Sequence, residues 1–189
     1  VRLAELTRDT WPSLEELFSA NKTVGGCYCT WFMRREVREE WGEGNKRFLH
    51  DKVRAGEPLG VLALDDDPGD PNGRPVGWVA VAPRATYPKL DRSRITASDA
   101  GPDTWSVTCF FVHRAARGRG LARTLVDAAV DFARARGARV VEGHPVDTEG
   151  QRKVSGDLYH GTLDMFLSAG FELVERRGTR RALVRRTLP

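Results

Sequence analysis

"FFVHRAARGRGLARTLVDAAVDFARARG", residues 110–137, decides how the rest of the chain is read. An apolar run breaks into arginine and glycine and then resumes at once with helical spacing. Projected at 3.6 residues per turn, Leu121, Leu125, Ala128, Ala129, Phe132 and Ala133 share one broad face, and Arg123, Asp127, Asp131 and Arg134 share the other. The spacing predicts a helix over 119–136 that packs on a sheet. It starts at the end of the preceding strand, because only "HRAARG" separates the two. Strand, glycine turn and helix start together gather unpaired backbone N–H groups around one point, where the helix dipole adds roughly half a positive charge. That arrangement suits a pyrophosphate. Gly118 and Gly120 let the backbone approach an anion closely, and Arg117 and Arg119 add long-range attraction. A helix start with solvated arginines would have the same pattern. The stretch is not a nucleotide-hydrolase P-loop, since no Gly-Lys-Ser/Thr follows, and it lacks the third glycine of the dinucleotide fingerprint.

Working outward, 189 residues fit one domain, with room for a small helical annex and a real core. A hydrophobic content of 40% with interspersed charges of both signs describes a globular chain. No apolar run reaches the ~20 residues of a membrane helix, and the first residues show no signal-peptide core. The net charge of +4 is modest and spread along the chain, which argues against nucleic acid as a partner. The bias is qualitative: nearly all the basic residues are arginine, whose planar fork suits phosphates and carboxylates. Cys27, Cys29 and Cys109 make no disulfide framework, which places the chain in a reducing cytoplasm, and "CYC" lacks the second pair or histidine spacing of a zinc site. No metal is expected.

Residues 1–6 read as an opening strand and 10–21 as a helix, with Pro12 in its first turn and Glu15 and Glu16 near its positive end. Residues 30–41 and 45–55 read as further helix, with Asn45 as N-cap and Gly56 as stop. Strands at 59–66 and 75–82 flank the turn-rich "DPGDPNGR", a β-hairpin. Residues 83–103 form a long loop of the kind that carries function. "TWSVTCFFV", 104–112, is apolar on both faces and therefore a central strand. A strand at 138–146, a short helix at 161–170 and a final hairpin around Gly178 complete the chain. The fold class is mixed α/β of the α+β type, with a mostly antiparallel sheet flanked by helices.

With these residues and this element order in view, the chain resembles the GNAT N-acetyltransferase superfamily. "FFVHRAARGRGLARTLV" is similar to its acetyl-CoA signature, with Arg117, Gly120 and Ala122 at the three defining positions. The resemblance implies that backbone amides of Arg117, Gly118, Arg119, Gly120, Leu121 and Ala122 hold the CoA pyrophosphate. It also implies that Phe110, Phe111 and Val112 pair with the pantetheine arm and stabilise the oxyanion. Acetyl would then pass to a primary amine, a small molecule being favoured over a protein, by direct attack in a ternary complex. A non-catalytic CoA-binding or sensing domain is the alternative.

The resemblance breaks at one point. Many relatives carry a tyrosine four residues before the glycine of the "GF" step, and here Phe166 stands there. Tyr159, seven residues earlier, takes its place as candidate general acid. Glu142, near the end of the strand beside the cofactor strand, is the candidate base, with His144 second because its intrinsic pKa lies near neutrality. A base has work to do, since a lysine-like amine is neutral in only about one molecule in a few thousand at pH 7. Tyr28, Trp31 and Tyr87, with Cys27 and Phe32, are candidates for the acceptor pocket; core packing is the competing use of such side chains. Whether the chain is a monomer or a homodimer is open at this stage.

Overall fold

A computed structural model describes residues 1–35, 37–67, 70–149 and 158–189. In chain order the elements are β1 (Arg2–Glu5), α1 (Trp11–Ser19), α2 (Lys22–Cys27), α3 (Glu43–Arg54), β2 (Gly60–Asp67), β3 (Asp70–Pro83), β4 (Thr104–Val112), α4 (Leu121–Arg134), β5 (Val140–Gly143), α5 (Leu163–Ser168), β6 (Glu172–Arg177) and β7 (Arg181–Thr187). The strands form a 7-stranded sheet in the order β1-β2-β3-β4-β5-β7-β6. All neighbours run antiparallel except β4 and β5.

Period-two alternation sends each strand's side chains to two separate cores. Val79, Val81 and Val107 meet Leu125, Ala129 and Phe132 of α4 on one face. Leu62, Trp78 and Phe111 meet Leu14, Phe18 and Leu49 of the first three helices on the other. The central strand is therefore buried on both sides, as its composition implies. Helix α4 buries the face read from its periodicity, and Arg123 and Asp127 pair on the outside at 3.0 Å.

Four local expectations are corrected. Residues 30–41 are not helical where described. Tyr28 and Cys29 both adopt left-handed backbone, φ 46° and 50°, which ends α2 and turns the chain. Asn45 is not an N-cap: it is fully buried inside α3 and donates from Nδ2 to the carbonyls of Gly26 (2.9 Å) and Val37 (2.8 Å), closing the segment on itself. Glu15 lies beyond the first turn of α1 and pairs instead with Lys46 at 2.7 Å. The ladder of the β2–β3 hairpin extends to Asp67↔Asp70, so "DPGDPNGR" is partly strand, and residues 68 and 69 at its tip lie outside the described residues.

Two features of the central pair prepare a site. The β3–β4 register shifts between Ala80 and Val81, which leaves Thr108 as a bulge in β4. The parallel β4–β5 ladder stops at Val107↔Gly143. Beyond it come His144 and Pro145, and proline has no N–H to continue a ladder. The chain turns away to pair with the segment before α5, with Val146 N donating to Gly161 O and Leu163 N to Val146 O, both at 2.9 Å. Strand β5 is accordingly shorter than the 138–146 expected, and a wedge opens beside the second half of β4. Phe166 of α5 packs directly on Gly143, where a Cβ would lie 2.6 Å from its ring. Gly143→Ala is therefore expected to cost about 1–3 kcal/mol by overpacking, read as a lowered urea midpoint. Phe166→Leu in the same chain should recover part of it; additive effects would show that the contact does not matter.

Candidate active site

Four contiguous cavities follow the wedge. One, of about 330 Å³, lies along the start of α4 and is lined by Val112, Arg117, Gly118, Gly120 and Ala122. It shares Val112, Arg117, Ala122 and Met165 with a second, of about 290 Å³, walled also by Phe110, Phe111, Tyr159 and Thr162. Tyr159 also walls a third, of about 210 Å³, together with Cys27, Cys29, Trp31, Phe32, Thr108, Cys109 and His160. Trp31, Phe32 and His160 continue into a fourth, of about 350 Å³. Among the described residues Tyr159 is thus the one wall common to the second and third cavities.

The first cavity has the properties of an anion cradle. Gly118 and Gly120 sit at φ +78° and +75°, and a Cβ at either would meet nothing within 4 Å, so the backbone faces open space. Gly120 is the N-cap of α4 without any side-chain cap, which leaves the first helical N–H groups for another partner. Arg117 lies back along the strand end, its Nε donating to Val112 O at 3.3 Å. Arg119 is different: its guanidinium makes a two-point pair with Asp65 of β2, at 2.6 and 3.0 Å, and lines none of the four cavities. Its hydrogen bonds, then its charge, hold the Asp65 carboxyl below the usual range, and the guanidinium does not face the cradle.

His160, which the sequence reading passed over, stands beside Tyr159 in the third cavity. Its Nδ1 lies 3.0 Å from the Thr108 carbonyl. A carbonyl only accepts, so Nδ1 carries the proton and Nε2 presents a lone pair. Burial, reinforced by Arg181, lowers the His160 pKa to about 4, so the ring is neutral near pH 7. Its signal in the sequence is only its place in "YHG"; the bulge that aims a carbonyl at it lies 52 residues away.

The profile described as the acetyltransferase (GNAT) family matches residues 11–154. The chain belongs to the GNAT acetyltransferase family. Solved structures agree in fold. A ribosomal-protein-alanine N-acetyltransferase from Brucella melitensis is 17% identical, with a TM-score of 0.57 over 100% of both chains. A GCN5-related N-acetyltransferase from Kribbella flavida is 16% identical, with a TM-score of 0.59 over 99% of this chain and 97% of that one. PaiA N-acetyltransferase from Thermoplasma acidophilum, solved in complex with coenzyme A, is 9% identical, with a TM-score of 0.57 over 99% and 98%. No curated protein sequence matches the chain.

In this acetyltransferase several candidate residues stand elsewhere than expected. Phe110 N–H, expected to face the pantetheine arm, already donates to Tyr159 O at 2.6 Å. Tyr28 is buried among Trp11 and Phe18, its left-handed backbone turning the ring into the core while Cys27 and Cys29 reach the third cavity. Tyr87 is fully buried and lines none of the four cavities; burial pushes its phenol well up, so it is a core residue. Trp31 and Phe32 line the third and fourth cavities.

Glu142 is fully buried and committed to structure. It pairs with Arg84, accepts from Ser98 Oγ at 2.7 Å and lies 3.4 Å from both Ser106 Oγ and Arg185 Nε. It lines none of the four cavities, which removes it as the base. His144 is also buried; burial first, then Arg84 and His160, lower its pKa to about 3. Among the described residues no His, Cys, Asp and Glu group has the geometry of a metal site, and no helix is long and apolar enough to cross a membrane. Glu142→Gln is expected to destabilise the fold by about 3–5 kcal/mol, because Arg84 keeps a buried charge without its partner. The shape of the pH–rate profile should not change; a shifted limb with intact stability would return Glu142 to the chemistry.

Proposed function

We propose that the chain moves the acetyl group of acetyl-CoA to the primary amine of a small molecule, by direct attack with both substrates bound. The observation that carries this reading is the position of Tyr159, a shared wall between the cavity continuous with the anion cradle and the cavity on the other side of the wedge. Gly118, Gly120 and the first turn of α4 fit a pyrophosphate, because open backbone N–H groups converge there with the helix dipole. The CoA complex of the Thermoplasma neighbour supports the same ligand. When bound, acetyl-CoA supplies the activated acyl thioester. Everything else falls to the side chains.

His160 accepts an N–H of the incoming amine at Nε2 and so aims the nitrogen lone pair. As the C–N bond forms the nitrogen becomes acidic, and Nε2 is the acceptor beside it. A ring with so low a pKa does not retain the proton, which passes on to solvent. Tyr159 gives its phenolic proton to the departing thiolate, the task that Phe166 cannot perform. Phe166 is instead packed between Phe110 and Phe171, at ring separations of 5.9 and 4.9 Å.

Tyr159→Phe is expected to lower kcat about 10²-fold or more, the usual scale for a general acid, with KM for acetyl-CoA little changed. His160→Gln should lower kcat similarly while raising KM for the amine only. Wild-type turnover in both would remove the two roles. Gly120→Val, which forces a β-branched residue into left-handed backbone, should abolish acetyl-CoA binding in calorimetric titration while circular dichroism shows the fold retained. Unchanged affinity would place the cofactor elsewhere.

A further inference from the structure

The proposed acetyl transfer makes no use of the chain's 3 cysteines, yet all of them converge on one cavity. Cys27 closes α2, Cys29 follows in the left-handed turn, and Cys109 lies 80 positions further on in β4. Together with Tyr159 and His160 they line the third cavity, and no disulfide joins them. Cys29 is the middle member. Its Sγ donates to Cys109 Sγ at 3.1 Å, and its backbone N–H donates to Cys27 Sγ at 3.4 Å. A disulfide bond measures ~2.05 Å, so Cys29 and Cys109 have about 1 Å left to close.

The backbone is shaped to make that approach. Tyr28 and Cys29 lie at φ 46° and 50°, a conformation that non-glycine residues keep only where their surroundings hold it. The turn sends the Tyr28 ring into the core and sets Cys29 against β4, where Cys109 follows the bulge at Thr108. The three thiols also differ in character. Cys27 and Cys109 are half-buried, whereas Cys29 is 5% exposed. Hydrogen bonds from Cys29, its side chain first, hold the Cys27 thiol below its usual pKa against the opposing effect of burial. Contacts with Cys109 and Cys27, then burial, push the Cys29 thiol well up. The thiolate is the nucleophilic form of cysteine. An electrophile entering the cavity therefore meets its most reactive sulfur at Cys27, with a protonated thiol beside it.

We propose that these cysteines form a redox modification site, in which a small hydroperoxide oxidises Cys27 and the oxidation comes to rest as a reversible Cys29–Cys109 disulfide. The Cys27 thiolate attacks the peroxide, the O–O bond breaks, and the sulfur becomes a sulfenic acid while the departing oxygen takes up a proton. Cys29 Sγ then attacks that sulfur: an S–S bond forms, the S–O bond breaks, and hydroxide leaves as water with the Cys29 proton. Only one residue separates Cys27 from Cys29, so this first disulfide closes a small ring and is readily exchanged. Cys109 Sγ attacks Cys29 Sγ, and Cys27 leaves with the electron pair and takes up a proton in place of the one Cys109 gives up. In sum, two thiols and one hydroperoxide yield one disulfide, one water and one alcohol, the alcohol being a second water for hydrogen peroxide. The bond lies in the wall that Tyr159 and His160 share, so its formation reshapes the cavity they line. The proposal does not depend on the acetyl-transfer reading.

The test needs no acceptor. The full chain is reduced, freed of reductant, treated with a few equivalents of hydrogen peroxide, alkylated and digested with trypsin for mass spectrometry. Cys27 and Cys29 fall in the peptide 23–34 and Cys109 in 95–114. The expected product is a cross-link between these two peptides within one chain, with the alkyl group on Cys27, and dithiothreitol should reverse it. In Cys27→Ser the cross-link should form about tenfold more slowly, since the activated thiolate is gone. Limiting iodoacetamide on the reduced wild-type chain should label Cys27 before Cys109, which tests the same point without a variant. Three free thiols after treatment overturn the proposal. So do a lasting Cys27–Cys29 bond, a Cys27 carried on to sulfinic acid without a cross-link, or disulfides between chains. A folded Cys27→Ser that cross-links at the wild-type rate, or Cys109 labelled first, overturns the role of Cys27.

Discussion

A carboxylate taken wholly out of water is the constraint on which the site's architecture rests. Glu142 sits mid-sheet in β5, opposite Ser106 of β4 and Arg185 of β7. Desolvating an unpaired carboxylate costs several kcal/mol even after relaxation, so the charge is tolerable only with Arg84, Ser98 and Arg185 around it. Those partners do more than compensate it. Arg84 also reaches Asp91 and the carbonyl of Thr96 (3.1 Å), so the connection from 84 to 98 is tied down at both ends and in the middle. That connection carries Lys89 and Arg92, and the tie lies one residue before the β4–β5 ladder ends. The same knot that stabilises the sheet therefore fixes one wall of the fourth cavity relative to the wedge.

What the sequence made legible was whatever depends on near neighbours. The amphipathic period of α4, the two glycines before it and the doubly apolar β4 are local signals, and the structure matches them closely. The failures share a cause. Asn45 has an N-cap's chemistry but spends its amide on carbonyls 19 and 8 residues away. Residues 30–41 have helical composition, yet the left-handed pair Tyr28 and Cys29 and the Asn45 contacts fold the described ones into turns. Glu142 read as an ordinary strand-end acid because its main partner is Arg84, 58 positions back. His160 gained a defined tautomer only through a carbonyl exposed by a bulge in β4. Arg119 looked like part of the cradle until Asp65 claimed it. Each of these is decided by tertiary pairing, which periodicity does not encode.

The substitution at Phe166 shows how packing and chemistry were traded at one position. Its ring fills the space over Gly143 and meets Phe110 and Phe171 edge-on, with no exposed surface. A hydroxyl there would lie in an apolar cluster. In the proposed mechanism the proton donor is Tyr159, which anchors itself to β4 through its own carbonyl and lines two adjoining cavities.

The sheet order carries a consequence for how the chain is assembled. Strand β7 comes after every other strand in the chain, yet it lies between β5 and β6. Strands β1 to β4 can zip up in the order they are synthesised, each beside its predecessor. Strand β5 also lies beside its predecessor, but until β7 arrives its other edge is unpaired, β6 has no neighbour in the sheet, and Glu142 lacks Arg185. Completion of the second half of the sheet is thus a late, long-range event that closes it from the inside, of the slow kind in which loop entropy is lost before the contacts form. The nascent chain would hold a finished β1–β4 platform for some time while the wedge beside β4 does not yet exist.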